Sequence, residues 1–212
     1  MDHLIVKREN LESAIAEAIS VLRDGGLVVY PTDTLYGLGC DALNEEAIKK
    51  VFTIKKRPED KPLSIAVSSI GMMEKYAYVT PLADFLAKKF LPGALTVILP
   101  KKNLPDILTS NKEDVAIRVP DNEVALKLIE SLGRPITATS ANLSGMEPPT
   151  TPNDAMRQID ADLILDSGDL ESKVPSTLVD LTGKPRLLRA GKIKWKEIER
   201  VVSESEEVES NG

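Results

Sequence analysis

Leu27-Val28-Val29-Tyr30-Pro31-Thr32-Asp33-Thr34-Leu35-Tyr36-Gly37-Leu38-Gly39 starts as an apolar run and ends in hydroxyls, one carboxylate and two glycines. The apolar part reads as a buried strand. Moving outward, similar short β-like runs occur at 63–67, 95–99, 115–119, 135–138, 162–165, 177–181 and 186–189. Helices announce themselves between them by their caps. Asn10 is expected to cap one that stops at Gly25-Gly26, and Asn44 a second, with Glu45 and Glu46 at its positive end. Thr80-Pro81 opens a third, Asp121 a fourth that ends at Gly133, and Thr151-Pro152 a fifth. Strands alternating with helices give an α/β fold of packed layers. The last two strands have no helix between them, so they are expected to pair antiparallel. The expected architecture is an open, twisted, mixed β-sheet with helices packed on it.

The hydroxyl-rich half of the opening segment reads as a ligand loop, its glycines allowing backbone to approach the ligand. Gly37-Leu38-Gly39-Cys40-Asp41-Ala42 fits G-x-G-x-x-A, but six residues separate the strand end from the first glycine, so the dinucleotide-binding context is missing. A second segment, Lys55-Lys56-Arg57-Pro58-Glu59-Asp60-Lys61-Pro62-Leu63, holds four cations and two prolines. Fixed φ angles gain little in a merely solvated loop, so these cations are expected to meet phosphate. Arg57 suits bidentate contact, with Lys55, Lys56 and Lys61 as movable point charges. A third segment, Thr137-Ala138-Thr139-Ser140-Ala141-Asn142-Leu143-Ser144-Gly145, is packed with small donors and acceptors. Arg118 sits inside the apolar run 115–119, where burial requires an anionic partner, either a ligand carboxylate or a structural Asp or Glu. Ser176-Thr177 and Arg189-Ala190-Gly191 flank the last two strands.

Composition narrows the chemistry. The 212 residues, 42% hydrophobic and 28% charged, suit one soluble globular domain with a substantial core. No apolar run approaches 18 residues and the start lacks a signal-peptide pattern, so no membrane span and a cytoplasmic location are expected. Cys40 is the only cysteine and His3 the only histidine, the latter read as lying at a mobile chain end. That excludes a disulfide or cysteine-based zinc site and disfavours Ser-His-Asp or Cys-His catalysis. No protein metal ligand set is indicated. Five of the six net negative charges fall in 197–212. The expected organisation is a domain over 1–196 and an acidic end over 197–212, a helix end followed by unstructured chain beyond Val202.

Seven stretches in order carry a resemblance: 30–42 (YPTDTLYGLGCDA), 55–65 (KKRPEDKPLSI), 92–99 (PGALTVIL), 115–121 (VAIRVPD), 139–145 (TSANLSG), 176–180 (STLVD) and 187–191 (LLRAG). Together they resemble the YrdC-like family of L-threonylcarbamoyladenylate synthases, over roughly residues 10–192, in its short single-domain form. The resemblance implies synthesis of threonylcarbamoyl-AMP from L-threonine, bicarbonate and ATP with release of pyrophosphate. ATP with Mg2+ would be the substrate, and the product would pass to a tRNA threonylcarbamoyl-transfer complex that modifies adenosine beside the anticodon; a weak direct contact to tRNA is compatible with this and is left open. By this likeness Thr34, Ala66, Arg118, Ala138 and Ser176 would bind threonine. Arg57, Lys61, Asp114, Ser140, Asn142, Pro148 and Arg189 would bind ATP, and Lys55 and Arg57 would be catalytic. Ala66 stands where relatives often have histidine, which suggests a backbone contact there.

Two other functions compete. A non-enzymatic RNA-binding module would use the basic 55–61 segment, but 4% aromatic content leaves few stacking platforms. A hydrolase of nucleotides or small acyl groups would lack a positioned histidine.

Overall fold

The computed structural model describes residues 1–210. Eleven strands are described: β1 (Asp2–Ile5), β2 (Val28–Tyr30), β3 (Gly37–Gly39), β4 (Ile65–Ala66), β5 (Leu95–Pro100), β6 (Asp114–Arg118), β7 (Ile136–Thr137), β8 (Thr139–Ser140), β9 (Leu163–Asp166), β10 (Thr177–Asp180) and β11 (Arg186–Arg189). The helices are α1 (Leu11–Arg23), α2 (Glu45–Lys55), α3 (Ile70–Tyr76), α4 (Pro81–Phe90), α5 (Glu123–Leu132), α6 (Pro152–Gln158) and α7 (Trp195–Ser210). The mixed α/β architecture is the expected one, and β10 and β11 do pair antiparallel. The strands, however, divide between two mixed sheets rather than one. Their orders are β1-β9-β2-β3-β8 and β11-β10-β5-β6-β4-β7.

Period-2 alternation assigns the faces. Val29, Leu38 and Ile164 point to one side of the first sheet, into a core shared with Ile65, Val97, Ile117 and Val179 of the second sheet and with α2 and α4. Val28, Tyr30, Leu163 and Leu165 point to the other side, onto α1 and α5. The sheets are joined by the chain itself: β7 pairs with β4 in one sheet, β8 pairs with β3 in the other, and Ala138 is the crossing residue. Its N–H donates to Ser64 O at 2.8 Å.

Several local expectations change. Asn10 makes no capping bond to α1; its Oδ1 accepts from Lys7 N–H at 2.7 Å and its amide donates to Ile5 O at 2.8 Å. The cap of α5 is Asn122, accepting from Ala125 N–H at 3.1 Å, one residue later than Asp121, whose N–H donates to Asp33 Oδ1. Asn44, Thr80 and Thr151 cap as read. His3 lies in β1, paired parallel with β9, and its Nε2 stands 2.6 Å from Asp166 Oδ2. At the other end, α7 continues to Ser210 where unstructured chain was expected beyond Val202. Ile198, Val201 and Ser205 are buried on one face of it, and the helix packs on α4. Residues 211–212 lie outside the described residues. No helix among the described residues is long and apolar enough to cross a membrane.

Candidate active site

Strand ends of both sheets surround a cavity of about 270 Å3 lined by residues that include Thr34, Arg57, Ala66, Arg118, Ser176 and Arg189. The crossing segment contributes Ala138, Thr139 and Ser140 to the same cavity, and the loop before α6 contributes Pro148. Nine of the thirteen expected site residues therefore meet there, although they come from separate stretches of sequence.

Arg118 closes one wall. Its Nη1 donates to Thr34 Oγ1 at 3.0 Å, and its Nη2 to Asp33 Oδ1 at 2.6 Å and to Gly93 O at 3.0 Å. The anionic partner that its burial required is thus a structural aspartate. Its Nε–H is buried without a partner. Thr32 Oγ1 accepts from the backbone N–H groups of Thr34 and Leu35, both at 3.1 Å, which shapes the turn that brings Asp33 and Thr34 to the arginine.

Neighbouring strands of the same sheet, β5, β10 and β11, supply a polar relay to the lining. Thr96 Oγ1 and Ser176 Oγ stand 2.7 Å apart. Arg189 donates through Nη2 to Ser176 Oγ at 3.0 Å and through Nε to Ser176 O at 3.1 Å. Gly191 backs this relay. A Cβ there would lie 2.4 Å from the Ser176 carbonyl carbon and 2.5 Å from Pro175 O, so only glycine fits.

Arg57 turns inward from the basic segment, its Nε donating to Lys61 O at 2.9 Å and its Nη2 to Pro62 O at 2.8 Å. Burial lowers its pKa without discharging it. Neither Arg57 nor Arg189 has a carboxylate partner among the described residues, so an anionic ligand would complete both.

Four expected residues do not line the cavity. Lys55 is buried on the apolar face of α2, and its Nζ donates to the carbonyls of Ser140 and Asn142, to the latter at 2.6 Å. It is therefore not a movable charge but a brace for the crossing segment. Asn142 is also behind the wall, its Oδ1 accepting from Ser140 Oγ and its amide donating to Met146 O at 2.7 Å. Lys61 is exposed and offers its backbone carbonyl to Arg57. Asp114 begins β6 whereas Arg118 ends it, which separates the two by about 13 Å at the rise of a strand.

Sequence reasoning missed Thr96, Tyr36 and the aspartate of the ion pair. Tyr36 lines the cavity while its hydroxyl donates to Gly168 O at 2.8 Å and accepts from Ser167 N–H at 3.1 Å. Burial pushes that hydroxyl up to about 12, so it keeps its proton. Gly37 lines the cavity, as the approach of backbone to a ligand requires, and packing adds a second reason for both glycines. Gly37 and Gly39 lie within β3, and their Cβ positions are filled by the Tyr30 ring, at 2.8 and 3.0 Å. Packing against Tyr30 therefore excludes larger residues at both positions, within a strand and not in a tight loop.

Comparison with known proteins adds a likeness that the geometry alone does not give. Residues 20–191 match the Sua5/YciO/YrdC family, described as "Telomere recombination". The chain is 43% identical over 210 residues to a threonylcarbamoyl-AMP synthase of Pyrococcus abyssi, covering 96% of this chain and 62% of that protein. It is 42% identical over 196 residues to one of Bacillus subtilis, covering 89% of this chain and 56% of that one. A crystal structure of P. abyssi Sua5 complexed with L-threonine superposes with a TM-score of 0.89 at 41% identity, covering 96% of this chain and 60% of the other. The chain thus spans about three fifths of the length of these relatives.

Proposed function

The chain belongs to the Sua5/YciO/YrdC family, and from that premise we propose that it makes threonylcarbamoyl-AMP from L-threonine, bicarbonate and ATP, releasing pyrophosphate. The observation that carries this reading is one cavity holding two kinds of recognition. Arg118 with Thr34, and Ser176 with Thr96, suit the carboxylate and hydroxyl of a small amino acid, while Arg57 and Arg189, without carboxylate partners, suit phosphates. The relative with threonine bound supports the first half.

In this reaction the threonine amine takes up CO2 from bicarbonate to form a carbamate. A carbamate oxygen then attacks the α-phosphorus, and pyrophosphate departs with the electron pair of the broken P–O bond. No step needs a covalent protein intermediate, which agrees with a buried Cys40 whose thiol is pushed up to about 12 by burial. Positioning and charge neutralisation supply the catalysis. Arg57 and Arg189 would neutralise phosphate charge, and Lys55 would act by fixing Ser140 rather than by touching the reacting atoms.

For Mg2+, the described residues contain no group of three or more His, Cys, Asp or Glu that could hold a metal, and Asp33 beside the cavity is engaged by Arg118. The residues therefore do not fit a protein-held metal. Mg2+ would arrive with ATP, as part of the substrate.

The product would pass to a tRNA threonylcarbamoyl-transfer complex in the cytoplasm. The RNA-binding alternative loses support because Lys55 is buried and Arg57 turns inward, leaving Lys56 and Lys61 as the exposed cations of that run. The test is to incubate the protein with ATP, Mg2+, bicarbonate and isotopically labelled threonine and look for the threonylcarbamoyl–AMP mixed anhydride by mass spectrometry. Its presence supports the reading, and free AMP without the anhydride opposes it.

A further inference from the structure

Arg118 is shared between the protein and whatever fills the cavity. Its side chain is 8% exposed and that of Asp33 10%, and they meet at 2.6 Å. Asp33 is itself fixed, because its Oδ1 also accepts from Asp121 N–H at 3.1 Å. The Nη2 side of the guanidinium is thus filled by Asp33 and by Gly93 O, whereas the Nε–H is buried with no acceptor. That Nε–H is sealed from solvent, so a ligand in the cavity would meet Arg118, which lines it, through a guanidinium already paired at Nη1 and Nη2.

Resting on the reading that this ligand is threonine, we propose that Asp33 sets the affinity of the amino-acid site by competing electrostatically with the substrate carboxylate for Arg118. The cation of Arg118 is already neutralised before substrate arrives. Threonine brings a second carboxylate to the same guanidinium, so the pocket attracts it less than a free arginine would. The purpose of such a pair is selectivity. With charge attraction offset, binding depends on the side-chain groups read by Ser176 and Thr96, and other amino acids gain little from their common carboxylate.

Asp33→Asn separates charge from geometry. Asparagine keeps an Oδ1 that can accept from Arg118 and Asp121, but carries no charge, whereas Asp33→Ala removes both. Threonine binding is measured by calorimetry, without ATP and hence without turnover. Asp33→Asn is expected to bind threonine at least about fivefold more tightly, the factor for removing a like charge a few ångströms away even under water-like screening. Asp33→Ala is expected to bind more weakly than wild type, since Arg118 loses its orientation. A second measurement needs no variant: wild type should bind L-threoninamide within about tenfold of threonine, the desolvation of the carboxylate offsetting most of its attraction to an already neutralised arginine. Weaker threonine binding by Asp33→Asn, or rejection of threoninamide far beyond tenfold, would overturn the inference. Wild type that does not bind threonine at all would instead remove the reading of the substrate on which it rests.

Discussion

The ammonium of Lys55 donates to the backbone carbonyl of Asn142 at 2.6 Å, tying the end of α2 to a segment 87 residues further along the chain. A second bond from the same Nζ goes to Ser140 O. Burial, and then the nearby Arg57 charge, lower the Lys55 pKa from 10.5 to about 7. The folded protein thus releases this proton more readily than the unfolded chain. The unfolded state binds more protons between about pH 7 and 10.5, so this group makes stability rise with pH across that window. Below it, the full cost of charging the buried amine is present. The urea midpoint of wild type should therefore climb from neutral pH toward pH 9 more steeply than that of Lys55→Met. Parallel curves for the two proteins would contradict this assignment.

Gly191→Ala should damage both fold and site. The new methyl would press on backbone atoms of Pro175, Ser176 and Thr177, which cannot rotate away. Overpacking of this kind costs about 1–3 kcal/mol. Because the strain falls on Ser176, threonine binding should weaken more than ATP binding. Stability from urea unfolding and the two affinities from calorimetry check this; an unchanged threonine affinity would show that Ser176 is not held by this contact.

Arg57→Ala should leave the protein folded, since its bonds go to the carbonyls of a partly exposed turn at Lys61 and Pro62. ATP affinity should fall by about tenfold or more, the weight of one charge-assisted contact to phosphate. Arg118→Gln should show the reverse selectivity, raising the threonine requirement while ATP still binds. Loss of ATP binding in Arg118→Gln with threonine affinity untouched would move that arginine to the phosphate side.

The amino acid should be chosen by its hydroxyl before its methyl. Valine would leave the Ser176–Thr96 pair facing a methyl group, and should be rejected strongly. Serine lacks one methyl and should be used about 10- to 200-fold less well. Valine supporting turnover as well as serine would remove the hydroxyl-reading wall from this account.

Much of this was legible in the sequence because it depends on local patterns. The apolar runs became strands, Asn44, Thr80 and Thr151 capped their helices, and nine expected residues converged on one cavity. What escaped depends on pairing between distant segments. β3 and β8 are short, contain glycine or hydroxyl residues, and are held by pairing, β3 between β2 and β8 and β8 against β3, which no local propensity reveals. The division into two sheets follows from the same crossing at Ala138. Asp33 gave no local sign that it would meet Arg118, 85 residues away. Lys55 did leave a usable signal: Ile48, Val51, Phe52 and Lys55 share one face of α2, so helical periodicity pointed it toward the core. Its charge drew it into the basic cluster instead.

The most direct measurement is pyrophosphate release from ATP with threonine and bicarbonate each omitted in turn. The account predicts release only when both are present, because the proposed route needs no covalent protein acceptor and forms the carbamate before the α-phosphorus is attacked. Equal pyrophosphate release without threonine would contradict it.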